Sequence, residues 1–287
     1  MTTNILFYGN CQTVAIMKTL CLRNNYWCHS IQCDITGMNK EAITDCIQKM
    51  DIIITQPISD NYRNVDYLST SYIINNAKKN CKIIIFDSCY FDFYYFDLTY
   101  KKVNNDVLHQ PIDYHYNKLI ECYSKNLPIE FYIDTYINNE ELKTSEELDH
   151  IAENSLNELK NRFEANKKKY NSENIYIISI HEFIKNNYKN KLLFYSMNHP
   201  SKYVIQYICE EIINFFQIPN TIDYNIDYLD NPRCIIYKCI QKNVIFDIND
   251  CLPLTLNNTD KYLITKIYYD TYKAIGFRDA IEEEHNT

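Results

Sequence analysis

The chain has 287 residues, 46% of them hydrophobic, which is enough to bury a sizeable core as one large domain or two small ones. Its formal net charge of −8 argues against a broad nucleic-acid or anionic-membrane surface, while leaving room for a local phosphate pocket. Twelve cysteines show neither a CxxC pair nor Cys/His spacing of zinc type, so no metal is expected and reduced thiols in a cytoplasmic compartment are the simplest reading.

The first strand is expected at Ile5–Tyr8, at once and without a basic leader region ahead of it. It runs into Gly9-Asn10-Cys11-Gln12 and then a helix over Thr13–Leu22. The chain has only three glycines, so one placed directly after a strand answers a backbone need. A strand-turn-helix corner of this kind exposes the next side chain, Cys11, beside free helix N–H groups that favour a thiolate. A glycine that merely turns the chain beside one cysteine of twelve is the competing reading.

Further along, Tyr26–Cys33 reads as a strand, Asn39–Lys49 as a helix and Asp51–Thr55 as a buried strand. Tyr67–Lys78 then suits a helix and Lys82–Phe86 another buried strand. Short apolar strands separated by helices predict an α/β fold, a central parallel sheet with helices on both faces. Ligands bind such sheets outside the carboxyl ends of the strands. Three polar clusters fall there: Gly9–Gln12, Gln56-Pro57 and Asp87-Ser88.

The aromatic stretch Tyr90–Tyr100 suits either a cleft wall or a packed loop. Asp113–Ser124 reads as helical, with a cap or packing role for Asp113. Asn139–Tyr170, rich in Glu and Lys, reads as one or two solvated helices, and Ile175–Ile180 returns to strand character. An amphipathic helix is predicted over Pro200–Phe216, with Pro200 in its first turn and His199 beside its N-terminus. Beyond Pro219 the pattern gives only a helix near Tyr262–Ala274 and a polar end. No apolar run approaches the length of a membrane span. No internal repeat or linker divides the chain, so a single domain over 1–287 is expected, with a core to about 220 and a helical extension over 221–287.

Taken in order, these clusters resemble the WcbI-type polysaccharide-biosynthesis acetyltransferases. The matching pieces are Gly9-Asn10-Cys11-Gln12, Asp51–Ile58 with Tyr62-Arg63, Ser69-Thr70, Ile83–Phe96, Asp113-Tyr114-His115 and Asn198-His199-Pro200, spanning about the first 215 residues. The chain also looks like the acetyltransferase portion of giant-virus enzymes that acetylate an amino sugar, which would place it in the host cytoplasm and allow fusion to further glycan-biosynthesis domains. Asp87-Ser88-Cys89 departs from the more apolar, Pro-containing turn the family leads one to expect.

The resemblance implies a fold distantly like the SGNH hydrolases and an acetyl-CoA-dependent transfer to a sugar or nucleotide-linked amino sugar. Acetyl transfer from a thioester needs a base, an oxyanion hole and a grip on the CoA phosphates. His199 is the expected base, since its ordinary pKa lies near neutrality, and Cys11 either carries the acetyl group or lines the site. Gly9, Asn10, Gln12, Gln56, Arg63 and Lys202 are the expected cofactor residues, Arg63 as the main phosphate ligand with Lys18 and Arg23 as weaker candidates. Tyr62, Ser69, Asp87, Tyr90, His115 and Asn198 are the expected acceptor residues. Two rivals stay open: a Cys-His esterase or thioesterase using water, and a non-catalytic glycan-binding module with a tyrosine-rich surface.

Overall fold

A computed structural model describes residues 2–22, 25–103, 106–218, 221–248 and 261–277. Arg23 and the polar end of the chain lie outside the described residues. The chain gathers into two compact units, each assembled from three separate stretches. The first comprises Met1–Tyr90, Leu156–Asn187 and Asn198–Leu229; the second comprises Phe91–Ser155, Tyr188–Met197 and Asp230–Thr287.

The first unit is built on five parallel strands: β1 (Thr3–Gly9), β2 (Tyr26–Gln32), β3 (Ile52–Thr55), β4 (Lys82–Phe86) and β5 (Ile175–Ile178). Their order is β2-β1-β3-β4-β5. This confirms the predicted α/β sheet, with strands beginning within two residues of those read from the apolar runs. Isoleucine-rich strands suit it because β-branched side chains pack well on a pleated surface buried on both faces. Ile5 to Tyr8 and Ile83 to Phe86 are all buried.

Side chains alternate across the sheet. Leu6, Tyr8, Ile53, Ile83 and Ile85 form one core layer with Ile43 and Ile47 of helix α2 (Lys40–Gln48) and Ile73 of α3 (Thr70–Asn76). Helix α1 (Cys11–Leu20) packs against β1 and against a long helix (Lys202–Phe216) whose Val204, Ile205, Ile208 and Ile212 are buried. That helix begins two residues after Pro200, with Ser201 at its cap position. Pro200 therefore stands outside the first turn that the sequence pattern gave it.

Side-chain caps start the short helices. Asn10 accepts from the Gln12 N–H, Asn39 from Ala42 N–H and Ser69 from Tyr72 N–H, each satisfying an amide the helix leaves open. The Glu/Lys-rich stretch forms one 25-residue helix, Ser145–Lys169. A short helix over His181–Asn187 has no counterpart in the sequence reading.

The second unit has a different interior. Phe91, Phe93, Tyr94 and Tyr95 are buried, and Phe91 and Phe93 pack edge-on with Tyr188, so this part of the aromatic stretch is core rather than cleft wall. A hydrogen-bonded set sits in the same unit. The Tyr237 hydroxyl donates to the Asp97 carboxylate at 2.5 Å and lies 2.9 Å from the Tyr132 hydroxyl. Asp97 also accepts from the amide of Lys118, so it fills the cap role expected of Asp113 at the helix Asn117–Ser124. Asp113 instead pairs with exposed His109. The predicted helix near Tyr262–Ala274 is present as Lys261–Ala274.

Candidate active site

In a sheet of order 2-1-3-4-5 the chain reverses direction of winding between β1 and β3, and the ligand crevice opens at their carboxyl ends. The Gly9–Gln12 corner follows β1 and Gln56 follows β3, so the two motifs meet at that switch point. Cys11 opens α1, and its Sγ lies 3.9 Å from His199 Nε2. Residues 188 positions apart are thereby brought together at the sheet edge.

Beneath this pair, two glutamine side chains tie four loops into one layer. Gln12 Nε2 donates to the Asn198 carbonyl at 2.8 Å and to the Cys89 carbonyl at 3.1 Å. Gln12 Oε1 accepts from Cys89 N–H at 3.0 Å and from Gln56 Nε2 at 2.8 Å. Gln56 Nε2 also reaches Ser88 Oγ at 3.3 Å, and Gln56 Oε1 accepts from Asn10 N–H at 3.0 Å. Both donors and both acceptor sites of the Gln12 carboxamide are used, and both glutamines are buried. They were expected as cofactor ligands; the structure turns their side chains inward and spends them on holding the loops.

Gly9 has a matching physical reason. A Cβ built on it would stand 2.6 Å from Gln56 Oε1 and 2.6 Å from Thr13 Cγ2, closer than any side chain allows. The glycine makes room for the Gln56 carboxamide rather than for a ligand.

The helix N-terminus offers fewer free donors than the motif suggested. The Gln12 amide is capped by Asn10 Oδ1 and the Thr13 amide by Asn10 O. Of these first amides, that of Cys11 is the one the Asn10 cap does not engage. The thiol also differs from expectation. The neighbouring amides of Cys11 and Gln12 do favour its thiolate, but burial and then the charge of Asp34 outweigh them and push the Cys11 thiol up.

Asp34 was missed in the sequence, although the strand-end rule covers it: it follows β2 as Gln56 follows β3. Cys33 N–H bonds to Gly9 O, which brings this loop to the corner, and one Asp34 carboxylate oxygen is buried without a partner among the described residues. The charge of Arg63 acts on Cys33 and on Tyr62, so the Tyr62-Arg63 turn belongs to the same neighbourhood. Arg63 is exposed and holds a left-handed φ of 55° with its guanidinium over the Tyr62 ring, while Tyr62 is half-buried. Lys202 opens the helix after His199, half-buried.

Other expected acceptor residues fall less simply. Asn198 contributes its carbonyl to Gln12, and Ser69 is buried as the cap of α3. Asp87 is buried, accepts from Asn166 Nδ2 at 3.3 Å, and burial raises its carboxyl to about 7. Tyr90 is half-buried beneath the guanidinium of Arg162. His115 does not join this group. It belongs to the second unit, fully buried, with Nδ1 2.7 Å from the Tyr272 hydroxyl and Nε2 3.0 Å from the Leu108 carbonyl. Burial lowers its pKa, as suits a neutral core histidine.

Among the described residues no helix is long and apolar enough to cross a membrane. Comparison with curated proteins found no match. One solved structure, described as structural insights into WcbI, a novel polysaccharide biosynthesis enzyme, shares the fold with a TM-score of 0.74 at 20% identity. The likeness covers 86% of this chain and 81% of that one, which is further described as native protein without a disulfide bond between CoA and a cysteine. The family model for the polysaccharide biosynthesis enzyme WcbI matches residues 4–221, well over half the chain. The chain belongs to the WcbI family of polysaccharide biosynthesis enzymes.

Proposed function

We propose that this chain transfers an acetyl group from acetyl-CoA to a hydroxyl or amine of a sugar or nucleotide-linked amino sugar during surface-glycan assembly. The observation that carries the reading is the 3.9 Å approach of Cys11 Sγ and His199 Nε2 at the switch point of the sheet, in a chain of this family. A likeness to a protein whose description pairs CoA with a cysteine supports CoA as the acyl carrier.

In this reading His199 Nε2 takes the proton of the acceptor as its oxygen or nitrogen attacks the thioester carbonyl. The tetrahedral oxyanion leans on the Cys11 amide and the positive end of α1. When the intermediate collapses, the C–S bond breaks and the imidazolium returns its proton to the departing CoA thiolate. Cys11 lines the site rather than carrying the acetyl group, because burial and Asp34 keep its thiol protonated near neutral pH. Exposed Arg63 and half-buried Lys202 suit the CoA phosphates, and Tyr62, Asp87, Tyr90 and Asn198 border the acceptor.

The test is to follow CoA release from acetyl-CoA with and without a panel of nucleotide sugars, reading products by mass spectrometry. Release that requires a sugar and yields acetylated sugar is expected. Sugar-independent release would instead identify a hydrolase, and absence of both release and binding a non-catalytic module.

A further inference from the structure

Cys11 and His199 stand 188 positions apart in the chain, and their separation sets the base against the corner that receives the oxyanion. The Gln12 side chain links these segments. It follows Cys11 in the chain, and its Nε2 holds the carbonyl of Asn198, the residue before His199, at 2.8 Å. The same carboxamide grips both backbone groups of Cys89, the N–H at 3.0 Å and the carbonyl at 3.1 Å.

We propose that Gln12 is the positioning residue that sets His199 against Cys11, and that Gln56 locks Gln12 in that orientation. This rests on the acetyl-transfer reading for its purpose but on geometry for its existence. A buried carboxamide with all its donors and acceptors filled has a single low-energy orientation, since any rotation strands at least one buried polar atom. Gln56 Nε2 occupies the remaining acceptor site on Gln12 Oε1, and Asn10 N–H and Ser88 Oγ hold Gln56 in turn. The lock therefore runs from the corner after β1, through the loops after β3 and β4, to the loop carrying His199. Gly9 belongs to it as well, because only a residue without Cβ leaves space for the Gln56 carboxamide.

Misplacing a catalytic group by about 1 Å costs on the order of 100-fold in rate. Gln12→Leu should lower kcat by about that factor while changing CoA affinity little. The decisive readout needs no substrate: the pH profile of Cys11 alkylation by iodoacetamide, followed by peptide mass spectrometry in wild type, His199→Ala, Gln12→Leu and the double variant. Removing the imidazole should shift the profile, Gln12→Leu should shift it similarly, and the double variant should add nothing further. Gln12→Met, which is close in length and uncharged but lacks the Nε2 donors, provides the same comparison should Gln12→Leu fail to fold. Independent, multiplicative shifts would overturn the proposal, as would a wild-type profile in the Gln12 variants or no shift on removing His199. Because alkylation requires no acetyl-CoA, failure of the acetyl-transfer reading leaves this result readable.

Discussion

The two units of this chain solve the problem of burying polar groups in opposite ways. In the first, an aliphatic sheet of isoleucines carries its buried polar side chains at one end, where Gln12, Gln56 and Asp87 gather beyond the carboxyl ends of β1, β3 and β4. In the second, polar atoms are spread through an aromatic interior: the hydroxyls of Tyr132 and Tyr237 and the carboxyl of Asp97 are joined by short hydrogen bonds, and the His115 ring is bonded separately to the Tyr272 hydroxyl. Concentrating buried polar groups at a sheet edge builds a site, whereas dispersing them builds a specified core.

The contrast is broken or sharpened first at His199. Replacing it with Ala should lower kcat by roughly 10²–10⁴-fold with little change in CoA affinity, while Cys11→Ser should keep activity within about tenfold. Steady-state kinetics with calorimetry of CoA binding checks both. In the aromatic unit the effect should fall on stability instead. Phe91→Ala removes a fully buried ring from the Phe93, Tyr94 and Tyr188 cluster and should cost about 3–5 kcal/mol in denaturant unfolding.

Gly9→Ala tests the close approach in the first unit. Forcing a methyl against Gln56 and Thr13 should cost about 1–3 kcal/mol and disturb the lock together with the activity. A fully active, fully stable variant would contradict the packing described. A last test is a pH slope. Burial raises Asp87 to about 7 and Asp97 to about 6, both from 3.8, so the native state holds protons that the unfolded chain has released. Stability should therefore fall as pH rises from about 4 through about 7, the reverse of the usual carboxylate behaviour. Asp87→Asn should flatten the upper part of that decline, measured by unfolding at several pH values.

Much of the first unit was legible in the sequence, because Asp51–Thr55 and Lys82–Phe86 are short apolar runs bounded by polar turns and the physics of a doubly covered strand is local. The meeting of Cys11 with the Gln56 loop followed from the rule that sites form at strand ends. The inward turn of Gln12 was not legible, because its partners lie 77 and 186 residues away and only the folded loops decide where a carboxamide points. His115 fails for the same reason: its place is set by Tyr272, 157 residues on. The thiol of Cys11 was misjudged because the helix N-terminus can be read from the motif, whereas burial and Asp34 cannot.

The central claim is that this chain moves an acetyl group to a sugar through His199. Mass spectrometry of nucleotide sugars incubated with acetyl-CoA and either wild-type or His199→Ala enzyme tests it most directly. An acetylated sugar should form in step with CoA release by the wild type, and at least 100-fold more slowly in the variant. Acetylation that persists unchanged without His199, or CoA release that leaves every sugar unmodified, would contradict it.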